Sequence, residues 1–333
     1  MSRSRWTVSA GVVAGILALS ACSGSSGGTK STAAASSSSA APAVSPLTGM
    51  RASGSPVVAV KIEDTANGRP QAGTDKADLV YIEQVEGGLT RLLAVFNSSL
   101  PKTVEPVRSV RANDPELASE FGNIIFVASG GSARGLGPLL RSSLRPVIND
   151  RNGPGFSRDN SRPVPYNLRA DLTTIADKVH GPKAADIGLN WSARLTAAQT
   201  AQTKPGPQVA TRVGATSVGF RWDAKSERYV RIIDGRVQKT VDGSVIDTPN
   251  VIVQFCHVRN GGGRDAAGNS TRYTSTIGHG RAVVFRNGRR IEGTWSRPAA
   301  GDGTKLTTSD GKPIPLTPGG AWFALVATDA PLS

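Results

Sequence analysis

Residues 104–120 read VEPVRSVRANDPELASE, and they place Arg108 and Arg111 three apart around Ser109. Two fixed guanidiniums suit a phosphate or carboxylate, because each presents several donors in a rigid fork. They precede Asn113-Asp114-Pro115-Glu116, a helix-start pattern with Asn113 or Asp114 as the cap. On a continuous strand, positions 108 and 111 face opposite ways; in a turn entering a helix they converge. There they would sit beside free N–H groups and the positive end of the helix dipole. The anion is then either external or internal, the internal choices being Asp114, Glu116 or an early acidic cluster of Glu63, Asp64, Asp78, Glu83 and Glu86.

Within that cluster, Glu83 and Glu86 flank the end of a strand and its Gly87-Gly88 turn. A pair of carboxylates does acid–base work if one is desolvated and held near the other. Ion pairing with Arg91, Arg108 or Arg111 accounts for them equally well. Gly130-Gly131-Ser132-Ala133-Arg134 misses a nucleophile elbow by its last residue, where arginine replaces glycine. Its place after a predicted strand suits a tight strand-to-helix turn whose amides can hold an anion. The three histidines, His180, His257 and His279, have no metal-ligand spacing, so no metal and no cofactor is called for. No residue is assigned a catalytic role. Arg91, Arg108, Ser109, Arg111, Glu83, Glu86, Gly130, Gly131 and Ser132 are the candidate ligand-binding residues.

The leader gives an address. Arg3 and Arg5 precede the short apolar run TVSAGVVAGILA (7–18), about 18 Å long as a helix and too short to span a bilayer comfortably. Leu19-Ser20-Ala21-Cys22 follows and fits the bacterial lipobox, which implies a signal peptide over 1–21 and a diacylglyceryl group on Cys22. Residues 22–45 are almost all Ser, Ala, Gly, Thr and Pro, a disordered tether with a reach of about 25–30 Å. The body is therefore expected at the outer face of the cytoplasmic membrane, anchored through Cys22. Cys256 is then the one remaining thiol, in a buried-looking run NVIVQFCHV, so no intramolecular disulfide forms.

The elements that carry these residues follow from periodicity. PVVAVKI (56–62), ADLVYIEQ (77–84), LTRLLAVFN (89–97) and NIIFVASG (123–130) read as strands; 113–121, 133–142 and 168–180 read as helices, the last capped by Asn167. Interleaved strands and helices predict an α/β N-terminal domain over 46–190. A connector spans 191–210. Five Asp-Gly or Asn-Gly dipeptides (234, 242, 287, 302 and 310) then separate short β runs, so 211–330 is predicted as an antiparallel β-rich C-terminal domain, a barrel or sandwich. No helix is predicted after residue 200.

SPLTGM (45–50), GRPQAGTDKADLVYIEQVEGGLTRLLAVF (68–96), EPVRSVRA (105–112) and VASGGSA (127–133), with GHGRAVVFRNGRRIEGTWSRP (278–298) and PLTPGGAWFALV (315–326), resemble the YerB-type bacterial lipoproteins. The resemblance implies membrane anchoring and a two-domain layout, with both domains of unknown function. It supplies no catalytic residues. Members carry an Asn-Asn-His-like run after the first strand, where this chain has Glu63-Asp64-Thr65. A fainter resemblance, over about fifty residues, is to the LytR–CpsA–Psr envelope glycopolymer transferases. Those enzymes place an aspartate just after the first arginine, where Arg91 here is followed by Leu92, and an Arg-Asp pair where this chain has Arg108-Ser109.

The formal charge of +14 is uneven: residues 191–333 carry 19 basic and 10 acidic residues. Such a surface attracts anionic lipids and wall polymers within about 8 Å at physiological salt. Nucleic acid would suit the charge, but the exported address excludes it. Two classes of function follow. One is a non-catalytic binder of an anionic wall polymer, a lipid-linked precursor or a protein partner. The other is an envelope enzyme acting on phosphate-linked glycopolymer or on glycan bonds.

Overall fold

The computed structural model describes residues 44–264 and 268–333. The leader, Cys22 and nearly all of the tether lie outside the described residues. The N-terminal strands are β1 (Val58–Glu63), β2 (Leu79–Gln84), β3 (Thr90–Phe96), β4 (Ile125–Ala128) and β5 (Arg145–Ile148). The helices α1 (Asp114–Ala118) and α2 (Ala133–Arg141) flank β4 in sequence. A 3-10 turn, Ser119–Phe121, prolongs α1. All four strands predicted for this half are present.

The β-rich C-terminal part does not close into a barrel. Its strands Lys305–Thr307, Arg289–Arg297, Gly278–Arg286, Asn250–Cys256 and Ala321–Ala327 run in that order into β2, β3, β1, β4 and β5, forming one open sheet. The seam is a parallel pairing of β2 with Ala321–Ala327, from Leu79 opposite Ala321 to Ile82 opposite Ala324. The two segments that differ in composition thus share one sheet. Because both faces of its central strands are covered, they read as unbroken apolar runs.

Alternation sorts their side chains. Ala59, Leu79, Tyr81, Leu93 and Val95 pack on one face with Leu117, Phe121 and Leu139 of the α1–α2 side. Val58, Val60, Val80, Leu92 and Ala94 pack on the other with Leu172 and Ile175, and with Val209, Phe220 and Tyr229 of a second, five-stranded sheet. The second sheet packs on the first as in a sandwich.

The predicted turns explain one hairpin in each sheet. Asp234-Gly235 and Asn287-Gly288 both take positive φ at two successive residues, the geometry that closes a two-residue hairpin. Gly303 is different: it lacks positive φ, and a Cβ there would meet the Ile187 carbonyl oxygen at 1.9 Å. Three expectations need correction. The 168–180 segment opens as a strand, Leu168–Ala170, and its helix, Leu172–Val179, is capped by Asp171, whose carboxylate accepts from Thr174 N–H. Asn113 occupies the cap of α1, but its side chain makes no capping bond. A short helix, Ala197–Ala201, lies in the connector, with a Thr196/Gln199 capping box, and extends one residue past 200.

Candidate anion site

Strand register puts charge on one row. Arg91 at the start of β3 lies opposite both Glu63 of β1 and Glu83 of β2. Period-two alternation puts all three on the α1–α2 face, together with Lys61. One row further in, the same face carries Lys61, Leu93 and Tyr81, and beyond that it is Ala59, Val95 and Leu79. The end of the sheet is thus ionic where its middle is apolar.

Segment 104–111 is threaded across this end. The Arg108 N–H donates to the Lys61 carbonyl at 2.8 Å, the Ser129 N–H to the Arg108 carbonyl at 3.0 Å, and the Val110 N–H to the Gly130 carbonyl at 2.9 Å. The chain is extended to Val110 and turns at Arg111, where its amide donates to Asp114 Oδ2 at 2.6 Å. That turn lets both arginines approach Arg91. The Ser109 carbonyl accepts from Arg111 Nη1 at 3.2 Å and from Arg91 Nη1 at 3.5 Å. Glu63 Oε2 lies 2.9 Å from Arg108 Nε and 4.0 Å from Arg91 Nε. Arg111 Nε donates to Glu86 Oε2 at 2.8 Å.

Both arginines of the motif therefore have internal carboxylates. These come from the early acidic cluster, not from the guanidinium contacts with Asp114 or Glu116 that the sequence also allows. Arg91 is different. It is the one buried member of the three, at 8 % exposed, and its Nε, like that of Arg108, makes no hydrogen bond. Burial, then the neighbouring Arg111 and Arg108 charges, lower its pKa to about 10, with Glu63 offsetting part of the effect. Three guanidiniums thus face two carboxylates, Glu63 and Glu86.

On the far side Arg108 Nη1 donates to the Pro165 carbonyl at 2.9 Å, and the guanidinium lies 5.2 Å from the Tyr166 ring centroid. On the near side Ser109 Oγ is 3.3 Å from Ser129 Oγ. Ser129 leads into Gly130, Gly131 and Ser132, the last being the cap residue of α2. Those glycines serve packing. A Cβ on Gly130 would meet Asp150 Oδ2 at 1.9 Å, and one on Gly131 would meet Val110 Cγ1 at 2.7 Å. Ser132 makes no side-chain capping bond.

Glu83 and Glu86 are not brought together. Glu83 points inward to a wholly buried Lys61, whose Nζ is 2.8 Å from Glu83 Oε1 and 2.7 Å from Asp114 Oδ1. Asn113 Nδ2 donates to Glu83 Oε2 at 2.6 Å. Burial pushes the Glu83 carboxyl up to about 8; Lys61 opposes this and Asp114 adds to it. Sequence reasoning missed Lys61, Asn113 and Tyr166. Lys61 did leave a signal, a lone lysine within an otherwise apolar run. Cys256 is buried, its thiol pushed up to about 12 by that burial, as fits a small core residue. Among the described residues no three His, Cys, Asp or Glu side chains form a metal-ligand group.

Residues 47–185 match the model "Protein of unknown function (DUF3048) N-terminal domain", and residues 208–323 match that of the corresponding C-terminal domain. The chain is 30% identical over 302 residues to a Bacillus subtilis (strain 168) protein named "Putative lipoprotein YerB", covering 85% of this chain and 86% of that one. A crystal structure of the YerB protein from Bacillus subtilis is similar with a TM-score of 0.72. It is 26% identical in sequence, over 87% of this chain and 99% of that one.

Proposed function

The chain belongs to the YerB family, and from that premise we propose that it is a lipid-anchored protein of the outer face of the bacterial cytoplasmic membrane that binds an anionic envelope group without transforming it. The anchor reading rests on the lipobox ending in Cys22 and on the lipoprotein name of its relative. The ligand is a phosphate, borne by a wall polymer or by a lipid-linked precursor, and it is held by Arg91, Arg108 and Arg111.

The observation that carries this reading is the state of Arg91. A guanidinium largely withdrawn from water, beside two like charges and with an unsatisfied Nε, is costly to hold. A phosphate oxygen would accept that N–H and balance the third positive charge. Catalysis is less well supported. Glu83 is sealed beneath Lys61, Glu86 is tied to Arg111, and Leu92 and Leu93 are core residues where a transferase of the LytR–CpsA–Psr type has its acid.

The test uses the full chain in detergent. Purified wall sacculi, with and without their covalent anionic polymers, and a lipid-linked pyrophosphate precursor are each titrated against the parent and Arg91→Gln. The reading expects binding to one phosphate-bearing ligand, weakened at least about tenfold by the change, as befits a buried charge-assisted contact of 1.5–3 kcal/mol. Loss on polymer removal identifies the wall polymer as the source. Equal binding by parent and Arg91→Gln, or none to any phosphate-bearing ligand, sinks the reading and leaves a protein partner as the alternative.

A further inference from the structure

A hairpin from the C-terminal half reaches the edge of this arginine cluster. Its strands are Val258–Arg264 and Ser270–Thr274, with Arg259 paired to Tyr273 and Asn260 to Arg272. Two contacts fix where it lies. Asn269 approaches Gly87, the residue after Glu86, and the hairpin's Gly262 and Gly263 lie against Arg134 in the first turn of α2. A Cβ on Gly263 would meet Arg134 Cδ at 2.9 Å and Thr271 Oγ1 at 3.3 Å, so this pair of glycines is the floor on which the arginine rests.

One face of the hairpin looks toward α1 and α2. Tyr273 donates its hydroxyl to Glu116 of α1, and Thr276 Oγ1 donates to the same carboxylate at 3.0 Å. Arg259, opposite Tyr273, stacks over that ring at 4.0 Å. Thr271 is two residues from Tyr273 and therefore on the same face, about 6.5 Å along the strand. Arg134, Thr271, Tyr273 and Arg259 thus follow one another. Arg111 is close to the start of this row. It is the residue after Val110, whose carbonyl oxygen would stand 2.6 Å from a Cβ on Gly135, the residue after Arg134.

Glu86 and Glu116 are already engaged, the first by Arg111 and the second by Tyr273 and Thr276. Among the described residues neither Arg134 nor Arg259 has an ion pair, and both are exposed. Two unneutralised guanidiniums therefore continue the row that Arg111 begins.

We propose that Arg134 and Arg259 form a second anion-binding bay beside Arg111, and that the preferred occupant is a linear phosphodiester polymer spanning both bays. This rests on the anion reading above and adds to it the ligand's form. A single phosphate fills only the Arg91 bay; a chain with successive phosphates fills both. The C-terminal half thereby supplies the part of the surface that measures chain length.

The experiment titrates glycerol phosphate and its phosphodiester-linked dimer and tetramer against the full chain in detergent. Parent and an Arg134→Gln/Arg259→Gln double variant are compared. After correction for the number of equivalent units, the parent should bind the tetramer about tenfold more tightly than the monomer, the product of two exposed charge contacts of about threefold each. The double variant should bind the monomer like the parent and lose that preference to within about twofold. A preference that survives the double change, or a parent that binds monomer and tetramer equally, overturns the second bay while leaving the Arg91 site standing. A parent that binds neither overturns both. Arg134 and Arg259 are exposed and lie outside the core, so the double variant should fold; its far-ultraviolet circular dichroism checks this.

Discussion

Lys61 Nζ stands 2.7 Å from Asp114 Oδ1, and neither side chain touches solvent. The same ammonium meets Glu83 at 2.8 Å, so one interior cation serves two carboxylates. Asp114 in turn accepts the Arg111 amide, which ties the buried trio to the arginine turn. Removing the cation strands the Asp114 carboxylate in the interior, and Glu83 with it once that group ionises near pH 8. Lys61→Met is expected to lower unfolding free energy by about 3–5 kcal/mol. Adding Glu83→Gln and Asp114→Asn should restore most of it, because neutral groups of the same shape no longer need the ammonium. Urea unfolding of the parent, the single and the triple variants reads this directly. A Lys61→Met protein as stable as its parent would contradict a charged, buried Lys61–Asp114 pair.

Glu83 should make stability fall with rising pH. Its ordinary value is 4.5 and burial raises it to about 8 in the folded protein. Between those values the folded state holds a proton that the unfolded state has released. The slope is therefore negative, at most about 1.4 kcal/mol per pH unit from this group. Below the unfolded value the penalty is absent; above the folded value it is complete. Glu83→Gln removes the group, so the stability difference should shift in favour of the variant between pH 5 and pH 8. Paired urea titrations at those two pH values check the sign. A difference that is flat across the window would mean that Lys61 holds Glu83 ionised throughout.

Asp64 and Arg231 join the two halves of the chain. Arg231 Nη2 contacts both carboxylate oxygens, at 2.7 and 2.8 Å, and Thr90 Oγ1 adds a bond of 2.8 Å. The guanidinium lies 4.9 Å from the Trp322 ring centroid. Arg231→Met leaves a buried carboxylate with only its Thr90 and Gln71 donors, so a loss of about 3–5 kcal/mol is expected. Because the main sheet also crosses this boundary, unfolding should stay a single transition in parent and variant alike. Tryptophan fluorescence and far-ultraviolet circular dichroism should then give one midpoint. Separate midpoints would show halves that unfold on their own.

Much of this architecture was legible. The apolar runs of β1 to β4 are long enough to identify, and the dipeptides Asp234-Gly235 and Asn287-Gly288 specify their own turn geometry. The joining of the halves was not legible. β2 and Ala321–Ala327 lie more than 230 residues apart in sequence, and a strand buried on both faces carries no mark of which neighbour it pairs with. The charged row was half legible. Arg108, Arg111, Glu83 and Glu86 stand out by type, but their pairing depends on strand register. Only register places Arg91 between Glu63 and Glu83. Lys61 was overlooked because it lies in a strand whose other members are mostly apolar, where it looks like an edge position.

Gly135 holds α2 against the arginine turn. Its absent Cβ would fall 2.6 Å from the Val110 carbonyl oxygen and 3.3 Å from Val110 Cγ1, and the first of these is backbone that cannot swing aside. Gly130 faces a softer obstacle, the carboxylate of the exposed Asp150. The two glycines should therefore respond differently to alanine. Helix propensity alone favours alanine at position 135 by roughly 1 kcal/mol. Overpacking opposes it by about 1–3 kcal/mol, so Gly135→Ala should be neutral to about 2 kcal/mol destabilising. Its larger effect should be on the site: pushing α2 outward moves Arg134 and the Val110–Arg111 turn apart. Phosphate affinity at Arg91 should change little, whereas the preference for a phosphodiester chain should shrink. Gly130→Ala should leave both unchanged, particularly with Asp150→Ser. Thermal unfolding and the chain-length titration, run on both variants, separate the two roles. Equal effects of the two substitutions on chain-length preference would show that the fit of α2 against Val110 does not set the spacing of the bays.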